Sequence, residues 1–168
     1  KIYHNTINLS VMGNNYSNQM LTSAVYIING TSLDIKNNIF VNTQIGGSIY
    51  AIYSVNNATF STLNYNNYFA SIQGNISLGA NSKNVNPTFI TSSNLKLQEV
   101  STNEALKSGT PISEVTTDIE EDIRSTTSPT MGADELAGRC GSSTTWNGAN
   151  WSNGNPNDTK KAVIAGNY

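Results

Sequence analysis

Apolar positions along this chain come in short runs rather than helical stripes. Ile2-Tyr3, Ile7-Asn8-Leu9, Ala24-Val25-Tyr26-Ile27-Ile28, Leu33-Asp34-Ile35, Ile39-Phe40-Val41, Ile49-Tyr50-Ala51-Ile52-Tyr53, Ala58-Thr59-Phe60 and Tyr68-Phe69 are each of strand length. They are rich in β-branched and aromatic residues, and Asn, Gly or Ser bounds each one, as expected for short strands between tight corners. No stretch of residues 1–98 keeps a helical period for three turns, which argues against helix there.

The runs also recur in order. Ile35-Lys36-Asn37-Asn38-Ile39-Phe40 returns as Asn64-Tyr65-Asn66-Asn67-Tyr68-Phe69, and in weaker form as Ile2-Tyr3-His4-Asn5-Thr6-Ile7. In this alignment Asn5 and Asn38 lie 33 residues apart, and Asn38 and Asn67 lie 29 apart. Ser23-Ala24-Val25-Tyr26 and Tyr50-Ala51-Ile52-Tyr53 precede the second and third blocks at matching places. A period of this size denotes stacked units, each with about three strands and three corners. The expected fold is all-β, a parallel β-helix, with residues 12–22 and 43–48 bulging as loops. Like corners would then repeat about 4.8 Å apart, so Asn5, Asn38 and Asn67 are expected to form a hydrogen-bonded amide ladder. Asn also tolerates the left-handed backbone that such a corner needs. Ile39 with Tyr68, or Phe40 with Phe69, would stack as apolar columns.

Composition then divides the chain. Residues 1–98 are the coils. Residues 99–137 hold nine of the eleven acids together with Pro111 and Pro129, and are expected to form an irregular tail over the end of the solenoid, capping its last open edge. Residues 138–168 change again. Asn147-Gly148 between Thr144-Thr145-Trp146 and Ala149-Asn150-Trp151 predicts a β-hairpin with a type I′ turn. In that register Trp146 would face Ala149, and Thr144 would face Trp151. Ala162-Val163-Ile164-Ala165 predicts a further strand, so this segment reads as the start of a following β-module. The chain opens inside a repeat and closes after a strand-like run, so it is expected to be covalently continuous with further domains on both sides.

Charge narrows the functions. Charged residues make up 12% of the chain, and the net charge is −2. Asparagine fills the gap: 19 of the 26 Asn precede residue 95. The sparse cations of residues 1–98 exclude phosphate-backbone recognition, hence nucleic acid. No apolar run reaches the length of a membrane-spanning helix, so membrane insertion is not expected. Cys140 is the only cysteine, so no internal disulfide forms.

One family shares several of these features. Tyr65-Asn66-Asn67-Tyr68, Asn86-Pro87-Thr88-Phe89, Leu95-Lys96-Leu97, Ser108-Gly109-Thr110, Thr117-Asp118-Ile119-Glu120, Arg124 and Met131-Gly132-Ala133-Asp134-Glu135 follow one another in an ordered series. In this order they resemble the C-terminal end of right-handed parallel β-helix proteins of the pectate-lyase-like superfamily, as secreted by Bacteroidetes and flavobacteria. Glu121 stands where that family usually has Gly, and Ser101-Thr102-Asn103-Glu104-Ala105 replaces its usual serine-proline start. The segment from Trp146-Asn147-Gly148 to Trp151-Ser152-Asn153-Gly154 is similar to modules that follow such solenoids. The resemblance implies an extracellular bacterial location, and a family that holds polysaccharide lyases and hydrolases alongside members without assigned activity.

The residues themselves argue more for structure than for catalysis. Before Glu99 the only acid is Asp34, and residues 1–98 contain no Arg. Inverting hydrolysis needs a carboxylate pair, and calcium-dependent lyases need several oxygen ligands and a base. No catalytic residue is therefore assigned. His4, the only histidine, is read as a corner residue beside Asn5, in a row with Asn37 and Asn66. Asp118, Glu120 and Asp122 are the candidate Ca²⁺ ligands, but their spacing fits no EF-hand loop. They are read as solvated tail acids, with Arg124 pairing one of the tail carboxylates and Asp118 capping its own turn. No cofactor other than Ca²⁺ is implied. Tyr26, Tyr53, Tyr65, Trp146 and Trp151 are the candidate carbohydrate-binding residues, because aromatic faces stack on the apolar C–H faces of sugars. The expected function is that of a structural or adhesive segment of a large bacterial surface or secreted protein, contacting a polysaccharide or cell-surface glycan. The alternative is the last coils of a polysaccharide lyase or glycoside hydrolase whose groove lies upstream.

Overall fold

A computed structural model describes residues 1–10, 20–55, 57–136, 144–146 and 162–164. Nine strands come first: β1 (Ile2–Tyr3), β2 (Thr6–Leu9), β3 (Leu21–Ile27), β4 (Gly30–Lys36), β5 (Ile39–Asn42), β6 (Ser48–Ser54), β7 (Ala58–Asn64), β8 (Asn67–Ala70) and β9 (Ile72–Gly74). Each of β1–β6 pairs in parallel with the strand three places further on, giving the sheets β1-β4-β7, β2-β5-β8 and β3-β6-β9. The chain thus visits three parallel sheets in turn, once per circuit. Among the described residues the only helix is a 3-10 turn at Ser101–Leu106.

The repeat alignment pairs Asn38 with Asn67, but the register is one residue different. Thr6, Ile39 and Asn67 are aligned, so Asn5 and Asn38 stack on Asn66. The apolar column that follows is Ile7, Phe40 and Tyr68, not Phe40 with Phe69. A one-residue slip exchanges the two faces of a strand, and burial decides between them. Phe40 and Tyr68 are both fully buried in the inner cluster with Ile27, Ile35, Ala51, Ile52 and Leu63, whereas Phe69 lies on the opposite face. The Phe40 and Tyr68 rings sit 5.8 Å apart, tilted by 46°.

All four residues of β5 are buried, on both faces of the strand. Phe40 points into the inner cluster, while Ile39 and Val41 join Leu97, Leu106, Met131 and Leu136 in a second one. The tail accordingly lies against the outer face of the middle sheet and not over the last edge. Its backbone is anchored at three places. The Gly132 N–H donates to the Asn37 carbonyl (2.7 Å), the Ala133 N–H donates to the Thr6 hydroxyl (2.9 Å), and the Asn37 side-chain amide takes both peptide groups of Thr110. Gly132 has φ +92°, and a Cβ there would lie 2.7 Å from both Ile39 Cδ1 and Thr6 Oγ1. Only glycine allows this approach.

The open edge of β8 is closed by the segment just before the tail. Lys83 exchanges backbone hydrogen bonds with Asn66 and Tyr68, and both side-chain groups of Asn67 clamp Val85. Further along, β10 (Thr144–Trp146) pairs in parallel with β11 (Ala162–Ile164). The proposed Asn147-Gly148 turn and its second strand lie outside the described residues.

Candidate functional site

Parallel pairing without a shift stacks like residues on like, and on the β3–β6 face this aligns Tyr26 with Tyr53. Their rings stack at 5.3 Å and 20°, and Tyr50 meets Tyr53 edge-on at 5.0 Å. Tyr26 is 54% exposed. Two of the five candidate sugar-binding residues are thus brought together, and Tyr50 extends the row. Tyr65 is elsewhere: it sits at a corner with φ +58° and packs against the second apolar cluster. The side chain of Trp146 and all of Trp151 lie outside the described residues.

At the corner between the first two sheets, the amides form a directional ladder. The backbone and side-chain N–H groups of Asn5 donate to Asn38 Oδ1, at 2.9 and 3.0 Å. Those of Asn38 donate in turn to Asn66 Oδ1, at 2.9 and 2.8 Å. Asn38 Nδ2 also reaches back to the Ile2 carbonyl, as Asn66 Nδ2 does to that of Ile35. The ladder therefore holds Asn5, Asn38 and Asn66, and Asn67 is a clamp on Val85. Because Asn66 and Asn67 are both amides, residue type alone did not distinguish them. The left-handed residues form the preceding row: His4, Asn37 and Tyr65 have φ of +52°, +59° and +58°.

His4 is buried where this row meets the tail. Asn37 is oriented by Thr110, whose N–H donates to its Oδ1, so Asn37 Nδ2 donates to His4 Nε2 at 2.9 Å. His4 Nδ1 then carries the proton and donates to the Gly132 carbonyl at 3.3 Å. Burial first, and the nearby Arg124 charge second, lower the His4 pKa to about 4.

Several tail acids are buried rather than solvated. Glu135 is fully buried, and Asp134, Asp118 and Arg124 are nearly so. The physical reason is that an irregular chain cannot pair its peptide groups in ladders, so side chains must satisfy them. Arg124 pairs with Glu135 at 3.3 Å and donates to the carbonyls of Thr117, Thr130, Gly132 and Ala133. Glu135 also accepts from the N–H and hydroxyl of Thr130. Carboxylate oxygens of Asp118, Glu120 and Asp122 lie within 4.8 Å of one another. However, Asp118 Oδ1 accepts the N–H groups of Glu120 and Asp122, its Oδ2 accepts that of Glu135, and Glu120 pairs with Lys96. These contacts hold the loop in shape. Asp34 is bonded to the Tyr3 hydroxyl and to Lys36 (3.2 Å).

Compared with known proteins, the chain matches no family model, no curated protein and no solved structure. No helix among the described residues is long and apolar enough to cross a membrane.

Proposed function

We propose that residues 1–98 are coils of a right-handed parallel β-helix of the pectate-lyase-like kind, within a large secreted or surface protein of a Bacteroidetes-type bacterium. Its role is that of a rigid structural or adhesive module that contacts carbohydrate through Tyr26 and Tyr53. The observation that carries the carbohydrate reading is the stacking of exposed Tyr26 on half-buried Tyr53 on a regular sheet face. Aromatic rings held at a fixed spacing suit the apolar faces of a glycan. The alternative, the end of a lyase or hydrolase, gains no support from Asp34, which is engaged by Tyr3 and Lys36.

The test is a glycan array probed with the native chain and with Tyr26→Ala and Tyr53→Ala, each with and without EDTA. Binding that both substitutions weaken at least tenfold, and that EDTA leaves intact, supports the reading. Binding insensitive to both substitutions, or no binding at all, removes the carbohydrate role.

A further inference from the structure

The outer face of the β3-β6-β9 sheet carries two columns that run along the stacking direction. Tyr26 is in register with Tyr53, and because Ile52 pairs with Gly74, Asn75 continues that line just past the end of β9. Ser23, Tyr50 and Ile72 form the second column. Tyr26 and Ile72 are exposed, Tyr50 and Tyr53 are half-buried, and none of the four joins either apolar cluster. Members of a column recur about 4.8 Å apart, the spacing of paired strands.

The polar groups of this face are neutral and have bonding capacity to spare. The hydroxyls of Tyr26, Tyr50 and Tyr53 make no hydrogen bond among the described residues. Asn75 accepts the Ser54 N–H at 2.8 Å and donates to the Ser54 carbonyl at 2.7 Å, which leaves one amide N–H and one carbonyl lone pair unused. β3, β6 and β9 contain no Asp, Glu, Lys or Arg. Over residues 5–82 Asp34 and Lys36 are the only charged side chains, and they lie in β4 and pair with each other at 3.2 Å. Lys1, ahead of β1, pairs with Glu114. The tail, which holds most of the acids, packs against a different sheet, β2-β5-β8.

We propose that this face recognises an uncharged, linear polysaccharide lying along the stacking direction. The inference rests on the carbohydrate reading of Tyr26 and Tyr53, and it names the class of glycan they take. Uronate or sulfate groups would have to leave water for a surface that offers them no cation, an uncompensated cost. The hydroxyls of a neutral sugar find phenol and amide partners instead, and its C–H faces find Tyr26 and Ile72. A linear chain is selected because the groups repeat in line at strand spacing, so each further sugar meets a further member of a column.

The test is calorimetric titration of the native chain with neutral oligosaccharides (β-glucan, mannan and xylan) and with oligogalacturonate and sulfated galactan of matched length, at low and high salt. At least one neutral series should bind about tenfold tighter than either acidic one, tighten with chain length and ignore salt. Ile72→Lys adds a cation at an exposed position of the second column. It should raise oligogalacturonate affinity about fivefold at low salt, a gain that high salt removes, with the melting temperature unchanged. Acidic glycans that bind the native chain as tightly as neutral ones, or binding that salt weakens, overturn the neutral class and leave the carbohydrate reading standing. An Ile72→Lys chain that gains nothing for oligogalacturonate moves the site off this face and overturns the proposal as well. Binding of no glycan at all removes both readings together.

Discussion

The circuits and the tail solve the same problem with different chemistry. In residues 1–85 every third strand pairs with the one before, so peptide groups satisfy peptide groups, and amides at one corner complete the rest. Charge has little to do there, and Asp34 is the only acid. Over residues 97–136 the path is irregular, and buried side-chain charges take over the same duty. Arg124 serves four carbonyls, and Asp118 serves three N–H groups. The shift in composition near residue 99 therefore marks a change in how the backbone is satisfied.

This contrast is most exposed to Arg124→Ala. Removing the guanidinium takes the cation from buried Glu135 and the donor from four carbonyls, which costs about 3–5 kcal/mol. Urea unfolding should report that loss, and hydrogen exchange should place it in residues 106–136 while β4–β8 keep their protection. Equal loosening of both regions would erase the distinction. Next comes Asn66→Leu, which breaks the ladder in the middle of the stack and should cost about 3 kcal/mol through the amides it orphans. Asn67→Leu instead frees Val85 and should cost about 1–2 kcal/mol, with the loss confined to the closing segment. The reverse ranking would restore the register implied by the repeat alone.

Acid tests the seam between the two regions. His4 has a folded pKa of about 4 against an ordinary value of 6.5. The unfolded chain therefore binds the proton first, and stability is full above pH 6.5 and falls as pH drops toward 4. A loss of about 2–3 kcal/mol is expected across that window. Protonation would set His4 Nε2–H against Asn37 Nδ2–H, so tail amides such as Gly132 should lose protection first. His4→Asn, which suits the same left-handed corner as Asn37, should flatten the slope between pH 6.5 and 4. The smallest effect is expected at the exposed Lys1–Glu114 pair, where Lys1→Ala should change stability by about 0.5 kcal/mol or less in a thermal melt.

Much of the architecture was legible because stacked circuits write their period into the sequence. Tyr26 over Tyr53, and His4 in the same row as Asn37, follow directly from matched segments. The third circuit was misplaced by one residue because Asn66 and Asn67 carry the same group. A bulky Tyr65 at φ +58° also disguised the corner row. The order of tail motifs around Arg124 and Gly132-Ala133-Asp134-Glu135 was visible, but their burial was not, since irregular packing leaves no periodic trace. Of the candidate sugar-binding residues, Tyr26 and Tyr53 were recoverable from repeat alignment, whereas the packing of Tyr65 under the tail depended on the corrected register.

The most direct test of the central claim is a set of through-space proton contacts by NMR on the isotope-labelled chain. Contacts from the Asn38 side-chain amide to Asn66, and from the Phe40 ring to Tyr68, are expected, with parallel-strand contacts between Ile39 and Asn67. Contacts from Asn38 to Asn67 and from Phe40 to Phe69, or an antiparallel pattern between these strands, would contradict the stacked register on which the account rests.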